Sequence, residues 1–488
     1  MTESVYDKLS NPLAMTVFVI TLMLPVAVGL LSWFRTRNQT DFYLGGRSMS
    51  PFVVALSAVA SGRSSWLVLG LSGIAYIIGI SAIWAIIGYI LVEAWQFIYL
   101  GRKLRSETQN LESITFLDYF ESKYSDTSGM LRLTGVIIIG VFMTAYVAAQ
   151  FNAGAKSLST ALDLSLPASL VFSGLLVLTY MIMGGFTAVA YNDVIRAIIM
   201  LIGLIVLPIT ALIKIGGWGV FSEMIHVLEP AYLDPYSIGL GALVGFVGIG
   251  LGSPGQPHIV VRYMSIKNPR LLVRSGIYGT LWNILLGLGA IGIGLTGRIL
   301  IPDMDNLPGK DPEMIYLALS SEYFSPAFYG LLVGGIFAAI LSTADSQLLV
   351  VASTFSRDLY EKIICRHKII HERRNMMVSR LVLLISGIVA AIMAYYAQEM
   401  VFWLVLFAWA GLGAAFGPAL IMSLFWKGTT KLGILTGMIS GTLITIGWRL
   451  WMKESTGIYE LIPGFFLSMI LIYLVSKFAN SKNNQMSD

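Results

Sequence analysis

The sequence predicts an all-α polytopic membrane protein with thirteen transmembrane helices, and three observations carry that prediction. Of 488 residues, 56% are hydrophobic and 12% charged, about half the roughly 25% charged share of a soluble chain; the mean hydropathy is +0.77. Apolar runs of about 20 residues, enough to cross a ~30 Å hydrocarbon layer, recur along the chain. The basic residues, finally, collect in alternate loops.

The runs cover 14–34, 51–78, 81–100, 133–156, 165–185, 194–214, 237–257, 274–298, 326–356, 378–398, 400–425, 431–451 and 459–477. The longer ones need tilt or a break to fit. The first stays in place as a helix, because MTESVYDKLSNPLA lacks the basic start of a cleaved leader. With the N-terminus outside, the inward loops hold Arg35, Arg37 and Arg47, then Arg102, Lys103, Arg105, Lys123 and Arg132. The next hold Arg262, Lys267, Arg270 and Arg274, then Arg357, Lys362, Arg366, Lys368, Arg373 and Arg374. The opposite loops are acidic, as in 299–325 with Asp303, Asp305, Asp311, Glu313 and Glu322. This alternation puts a multi-pass protein in the cell (cytoplasmic) membrane with its C-terminus in the cytoplasm.

Several function classes fall away. The net charge of +5 orients the chain in the bilayer rather than marking a nucleic-acid partner. A single cysteine, Cys365, excludes an intrachain disulfide and a thiolate metal cluster. The longest loops, 101–132 and 299–325, are too short for a soluble domain, although LESITFLDYFESKY fits a cytoplasmic helix. No GxxxxGK[ST] phosphate loop supports ATP-driven pumping, and no HExxH or acid cluster supports a metalloenzyme. Asp345 and Ser346, adjacent in sequence, diverge around a helix and make no catalytic dyad. His367 and His371 sit in a basic loop; His258 bonds backbone at a helix end; NSKNNQMSD reads as a disordered tail. A transporter without an organic cofactor is expected, and its oligomeric state is open.

Three runs are interrupted in ways lipid alone does not select. The second holds Ser61-Gly62-Arg63-Ser64-Ser65 mid-span, where an unpaired arginine costs ~2.5–3.5 kcal/mol or more. The seventh, GALVGFVGIGLGSPGQPHIV, is glycine-rich and carries Pro254 and Pro257. The ninth places Ser342, Thr343, Asp345 and Ser346 close together. Interrupted helices at matching positions of two inverted halves mark the site in secondary transporters, and the second and seventh runs stand five apart. Unwound backbone frees carbonyls, and hydroxyls add neutral oxygens that suit Na⁺. Ser342 and Thr343 facing the broken second run are candidate ligands, against the alternative that small polar residues only permit close packing.

At these residues the sequence resembles the sodium/solute symporter family, in particular its sodium/proline branch. The resemblance rests on FYLGGRSMSPFVVALSA at 42–58, GGFTAVAYNDVIRA at 184–197, GQPHIVVRYM at 255–264, LSTADSQLLV at 341–350 and AWAGLGAAFGP at 408–418. It implies a leucine-transporter-type core of two inverted five-helix repeats, 51–215 and 237–425. Residues 13–50 would precede that core, and 426–488 would add two spans and the tail to one membrane-transport domain. It further implies Na⁺ as coupling ion, bound by backbone carbonyls of Ala60, Arg63 and Ala339 and hydroxyls of Ser342 and Thr343. Asp193 matches an acid thought to help the ion leave inward. The solute site falls on Arg63, Ser64, Trp66, Tyr146, Ser253, Gln256, Pro257 and Trp409.

The chain also departs from the proline branch. That branch has an aspartate where Gly62 stands, a methionine where Arg63 stands, and aromatics where Ile249, Ser253 and Pro254 stand. The change at 62 and 63 swings local charge by about two units, worth several kcal/mol at an effective dielectric near 20. Arg63 then binds a substrate carboxylate, pairs with a buried partner, with Asp345 the candidate, or replaces Na⁺. The expected function is a sodium-coupled symporter importing a small organic solute, proline or a similar amino acid, by alternating access. The alternatives are a monocarboxylate or other anion symporter, and a sodium-independent carrier.

Overall fold

The computed structural model describes residues 5–33, 39–366, 372–397 and 399–485, and the described part of each expected run is mainly helical. The main elements are α1 (Pro12–Trp33), α2 (Pro51–Ser65), α3 (Ile83–Trp95), α4 (Met130–Leu162), α5 (Leu166–Ile215), α6 (Leu240–Gly248), α7 (Pro257–Ser265), α8 (Leu272–Leu300), α9 (Pro326–Ser353), α10 (Glu372–Tyr396), α11 (Val401–Phe425), α12 (Lys431–Trp451) and α13 (Leu461–Gln485). A backbone without water must satisfy its own hydrogen bonds, and a helix does so within one segment. Among the described residues, 8 helical stretches are long and apolar enough to cross a membrane. Pro51–Asn110 is one such stretch yet holds two expected runs, which part at Gly79 (φ 68°). The runs at 165–185 and 194–214 fall within the 50-residue α5, whose side chains over 176–185 lie outside the described residues.

Two expectations need correction. The tail is not disordered up to its end, since α13 continues through Gln485. Arg105, Arg132 and Arg262, counted as loop residues, are buried. Arg132 holds Asp118 at 2.8 Å and also pairs with Glu121 and Asp358. It thereby ties the short helix Phe116–Lys123, started by a Thr115–Asp118 capping box, to α4 and to the extension of α9 at Thr354–Ile364. Burial alone would raise the Asp118 carboxyl, but Arg357 and Arg132 hold it below its usual value. The predicted helix in LESITFLDYFESKY is therefore real but short. His367 and His371 lie outside the described residues.

The core sits where interrupted segments meet continuous ones. α9 packs against α1, α2, α4 and α5, and its residues from Gly334 to Leu348 are all buried. α11 packs against α4, α12, α13 and the break between α6 and α7. α3 closes the other side of that break at glycine contacts: a Cβ at Gly88 would collide with the Val247 carbonyl, and one at Gly250 would collide with the Gly88 carbonyl. Small residues allow such backbone approach where water cannot fill a gap.

Gly88→Ala is expected to lower the thermal midpoint of the detergent-purified protein by several degrees, overpacking typically costing about 1–3 kcal/mol. Gly219→Ala, where a Cβ meets nothing within 4 Å, should leave it in place. Equal midpoints in an intrinsic-fluorescence melt would refute the contact.

Candidate solute and ion site

The break in α2 is local and steep. Ser64 has φ 49° and ψ −166° inside an otherwise helical run, a conformation costing a non-glycine residue of order 1–3 kcal/mol. Neighbours hold it. The Ser64 hydroxyl accepts the Trp66 amide at 3.1 Å, and Gln150 of α4 accepts the Ser65 hydroxyl at 2.9 Å.

Four of the five expected ion ligands come together at this break. The Ser342 hydroxyl donates to the Ala339 carbonyl at 3.0 Å and to the Ala60 carbonyl at 3.3 Å. The Thr343 hydroxyl donates to Ser61 O at 3.2 Å and to Ala60 O at 3.5 Å. All these residues are fully buried. The Arg63 carbonyl accepts the Trp66 backbone amide instead. Ser61, whose carbonyl joins the cluster, was not among the expected ligands.

Arg63 does not pair with Asp345. Its Nε donates to Asn283 at 2.8 Å and its Nη2 meets Glu93 at 3.1 Å, while Asn283 also bonds Glu93. The guanidinium lies flat against Tyr89, 3.1 Å from the ring centroid, a cation–π contact in a desolvated place. Asp345 has its own partner, Arg196 of α5, at 2.7 Å. The reason is direction: Arg63 points toward α3 and α8, whereas Asp345 faces α5. Position 62 is filled for the same reason, since a Cβ on Gly62 would lie 2.5 Å from the Tyr89 hydroxyl. The acid facing Arg63 is therefore Glu93 of α3.

Beside the ion cluster lies a cavity of about 200 Å³ lined by Gly62, Trp66, Tyr89, Tyr146, Ile249, Val405, Leu406 and Trp409. Three expected solute residues, Trp66, Tyr146 and Trp409, form its walls. Ser64, Ser253 and Gln256 sit at the breaks. Ser253 donates to Gln96 at 2.6 Å, and the Gln256 amide donates to Gly252 O and Trp409 O at 3.2 and 3.0 Å. Trp409 in turn donates to the Ile249 carbonyl at 2.8 Å. Pro257 lines a separate cleft of about 530 Å³, together with Thr115, Asp358, Arg262 and Ser346.

Asp193 is fully buried rather than interfacial. Its Oδ2 accepts the Ser57 hydroxyl at 2.6 Å and pairs with Arg262 of α7 at 3.0 Å. On the acidic-loop side, Glu313 caps α11: its two oxygens accept the amides of Val401 and Phe402, each at 2.9 Å. Negative charge at a helix N-terminus is favourable. Burial pushes the Glu313 carboxyl up, against the lowering effect of Lys156 3.2 Å away. Phe402, so fixed, stacks on Trp66 with 5.5 Å between ring centroids.

Glu93, Asn283, Tyr89, Arg196 and Arg262 were missed by the sequence reading. A signal existed for three of them, because Glu93, Arg196 and Asn283 are polar residues inside apolar runs, and such residues seek partners.

Comparison with known proteins now bears on this geometry. Residues 42–441 match the model of the sodium:solute symporter family. The chain is 37% identical over 456 residues to a sodium/proline symporter of Staphylococcus aureus (strain NCTC 8325 / PS 47), covering 91% of this chain and 88% of that one. A substrate-bound, outward-open Na⁺-coupled sialic acid symporter superposes with a TM-score of 0.79 at 19% identity, over 96% of this chain and 98% of that one. A nucleobase-cation-symport-1 family transporter in a closed conformation superposes at 0.58 and 13% identity, over 91% and 96%. These two establish the fold alone.

Glu93→Gln leaves Arg63 buried without its counter-charge and is expected to cost about 3–5 kcal/mol, read as a large fall in the thermal midpoint. Adding Arg63→Met should recover most of that loss. Strictly additive effects in the double variant would show that the two side chains are not a pair.

Proposed function

Since the chain belongs to the sodium:solute symporter family, we propose that it imports proline or a similar small amino acid, coupled to inward Na⁺ movement by alternating access. It is a multi-pass membrane transporter, and the family's coupling ion is Na⁺. The observation carrying the proposal is the oxygen cluster at the α2 break, where Ser342 and Thr343 hydroxyls meet the carbonyls of Ala60, Ser61 and Ala339. Na⁺ favours such a set of neutral oxygens, and the unwound helix end adds its dipole. The Arg63 carbonyl, which accepts the Trp66 amide with one lone pair, would complete the shell with its second, and two inverted repeats, 51–215 and 237–425, would carry the halves of the site. Asp193 would receive the ion as it leaves toward the basic-loop face, which the proposal assigns to the cytoplasm of the cell membrane, with the N-terminus outside.

Pairing with Glu93 weakens the reading in which Arg63 replaces the ion. A guanidinium neutralised at 3.1 Å exerts little net field on a site next door. The cavity walls favour a solute with an apolar ring or chain, because Trp66, Tyr89, Tyr146 and Trp409 stand there beside Ile249, Val405 and Leu406, and apolar and aromatic walls suit such groups. None of its lining side chains is charged. The solute's charged groups would therefore meet backbone at the breaks, Ser64 and Gln256 standing next to those ends. A monocarboxylate remains the second reading, since the half-helix end at the break suits a carboxylate of either solute class.

Proteoliposomes carrying an inward Na⁺ gradient should accumulate radiolabelled proline, and without Na⁺ they should not. Thr343→Ala is expected to weaken apparent Na⁺ affinity by about tenfold or more, each decade being 1.4 kcal/mol of lost interaction. Uptake of pyruvate or lactate in place of proline, by folded protein, would transfer the assignment to monocarboxylates. Uptake indifferent to Na⁺ would overturn the coupling.

A further inference from the structure

Arg262 occupies a position that transport as proposed above does not explain. Its guanidinium touches three other helical elements at once. Nε donates to Ser57 at 2.8 Å, and Nη2 reaches Ser61 at 2.6 Å, Ser346 at 2.5 Å and Asp193 at 3.0 Å. Nη1 bonds the His258 carbonyl of its own helix. α2, α5 and α9 are thereby pinned to α7 by one side chain that is 2% exposed.

Two further facts give this pin a place on a path. Arg262 and Ser346 line the 530 Å³ cleft whose other walls include Thr115 and Asp358, on the side of the basic loops. On its opposite side the pin shares Ser61 with the ion cluster: the Ser61 carbonyl accepts Thr343 at 3.2 Å while its hydroxyl accepts from Arg262. Ser346 likewise donates to the Ser342 carbonyl at 2.8 Å. The guanidinium holds the oxygens of Ser61, Ser346 and Asp193 together, Ser61 belonging also to the cluster and Ser346 also to the cleft.

We infer that Arg262 is the gate on the basic-loop side, a tethered cation that shuts the exit and competes with the departing ion for Asp193, Ser61 and Ser346. Na⁺ leaving the cluster for the cleft meets oxygens already carrying a positive group, and like charges do not share them. Opening thus requires the arginine to withdraw, and its return drives the ion off the same oxygens into the cleft. Arg196 and Asp345, paired with each other at 2.7 Å, flank this exchange as a neutral unit, and Asp193 is the carboxylate that pairs with Arg262. The inference rests on the symporter reading for the identity of the ion, but the gate itself does not.

The test separates the two. Leu406 lines the solute cavity; Leu406→Cys in a Cys365→Ser background reports access from the basic-loop face of inverted vesicles to a membrane-impermeant maleimide. Adding Arg262→Gln should speed labelling by about tenfold, a population shift of one decade, while Arg262→Lys, which keeps the cation, should label like the parent. In proteoliposomes Arg262→Gln should also lower the Na⁺ concentration for half-maximal uptake and lower the maximal rate, because release loses its competitor. Labelling at the parental rate in folded Arg262→Gln, or equal acceleration by the lysine variant, would overturn the gate. An unchanged Na⁺ half-saturation with normal labelling shifts would overturn the competition. If Arg262→Gln does not fold, Asp193→Asn frees the same guanidinium and is read by the same labelling criterion. Na⁺-independent uptake by the wild type would sink the symporter reading, while the labelling rates would still decide the gate.

Discussion

Backbone that leaves helical geometry inside a membrane has no water to fall back on, and the residues around Ser64 are arranged by that fact. The turn at Ser64 strips carbonyls and amides on either side of their usual partners. Gln150 takes up Ser65, the Ser64 hydroxyl takes up Trp66, and Ser342 and Thr343 take up Ala60 and Ser61. The second break, at Ile249–Gly255, is answered in kind by Trp409 and Gln256. Each substitute partner comes from a different helix, so the breaks determine which helices must touch. The packing, the hydroxyl–carbonyl cluster and the cavity beside it are consequences of one unmet demand for hydrogen bonds.

Charge follows the same rule. The described membrane interior contains Arg63, Arg196 and Arg262, each set against an acid: Glu93, Asp345 and Asp193. Breaking any one pair would leave a bare charge where solvation is weak, which is far more costly than the pair is stabilising. The three pairs tie different helices, however: α2 to α3, α5 to α9, and α5 to α7. Arg63 with Glu93 backs the cavity wall through Tyr89. Arg262 with Asp193 stands astride the route to the cleft.

Much of this was legible in the sequence because the signals are one-dimensional. Hydropathy located the helical runs, and glycine, proline and serine inside apolar runs located both breaks. Ser342 and Thr343 stood out as hydroxyls in an apolar run, and the structure sets them against the carbonyls of Ala60, Ser61 and Ala339. The errors have a common origin in rotation about the helix axis. Asp345 and Arg63 both lie in core segments, so sequence offered them as partners, but they point to opposite sides. Arg262 was counted with loop charges because it lies a few residues from Lys267, yet α7 carries it inward. Glu93 was visible as an acid in an apolar run; its connection to Arg63 needed the crossing of α2, α3 and α8. The element boundary within 165–214 offers only Gly184-Gly185 as punctuation, and the helix runs on as α5.

The Tyr89 hydroxyl, lodged where a side chain at 62 would begin, has a historical implication. Residues 62, 63, 89 and 93 form a contact set: a Cβ at 62 would meet the Tyr89 hydroxyl, the Tyr89 ring lies against Arg63, and Arg63 pairs with Glu93. Restoring an aspartate at 62 by itself would meet a ring in its way and a second acid close by. A side chain at 62 would thus have to come with a shift or a shrinking of residue 89, whose ring also lies over Arg63. Changes at these four positions are therefore coupled, so the order in which they occur matters.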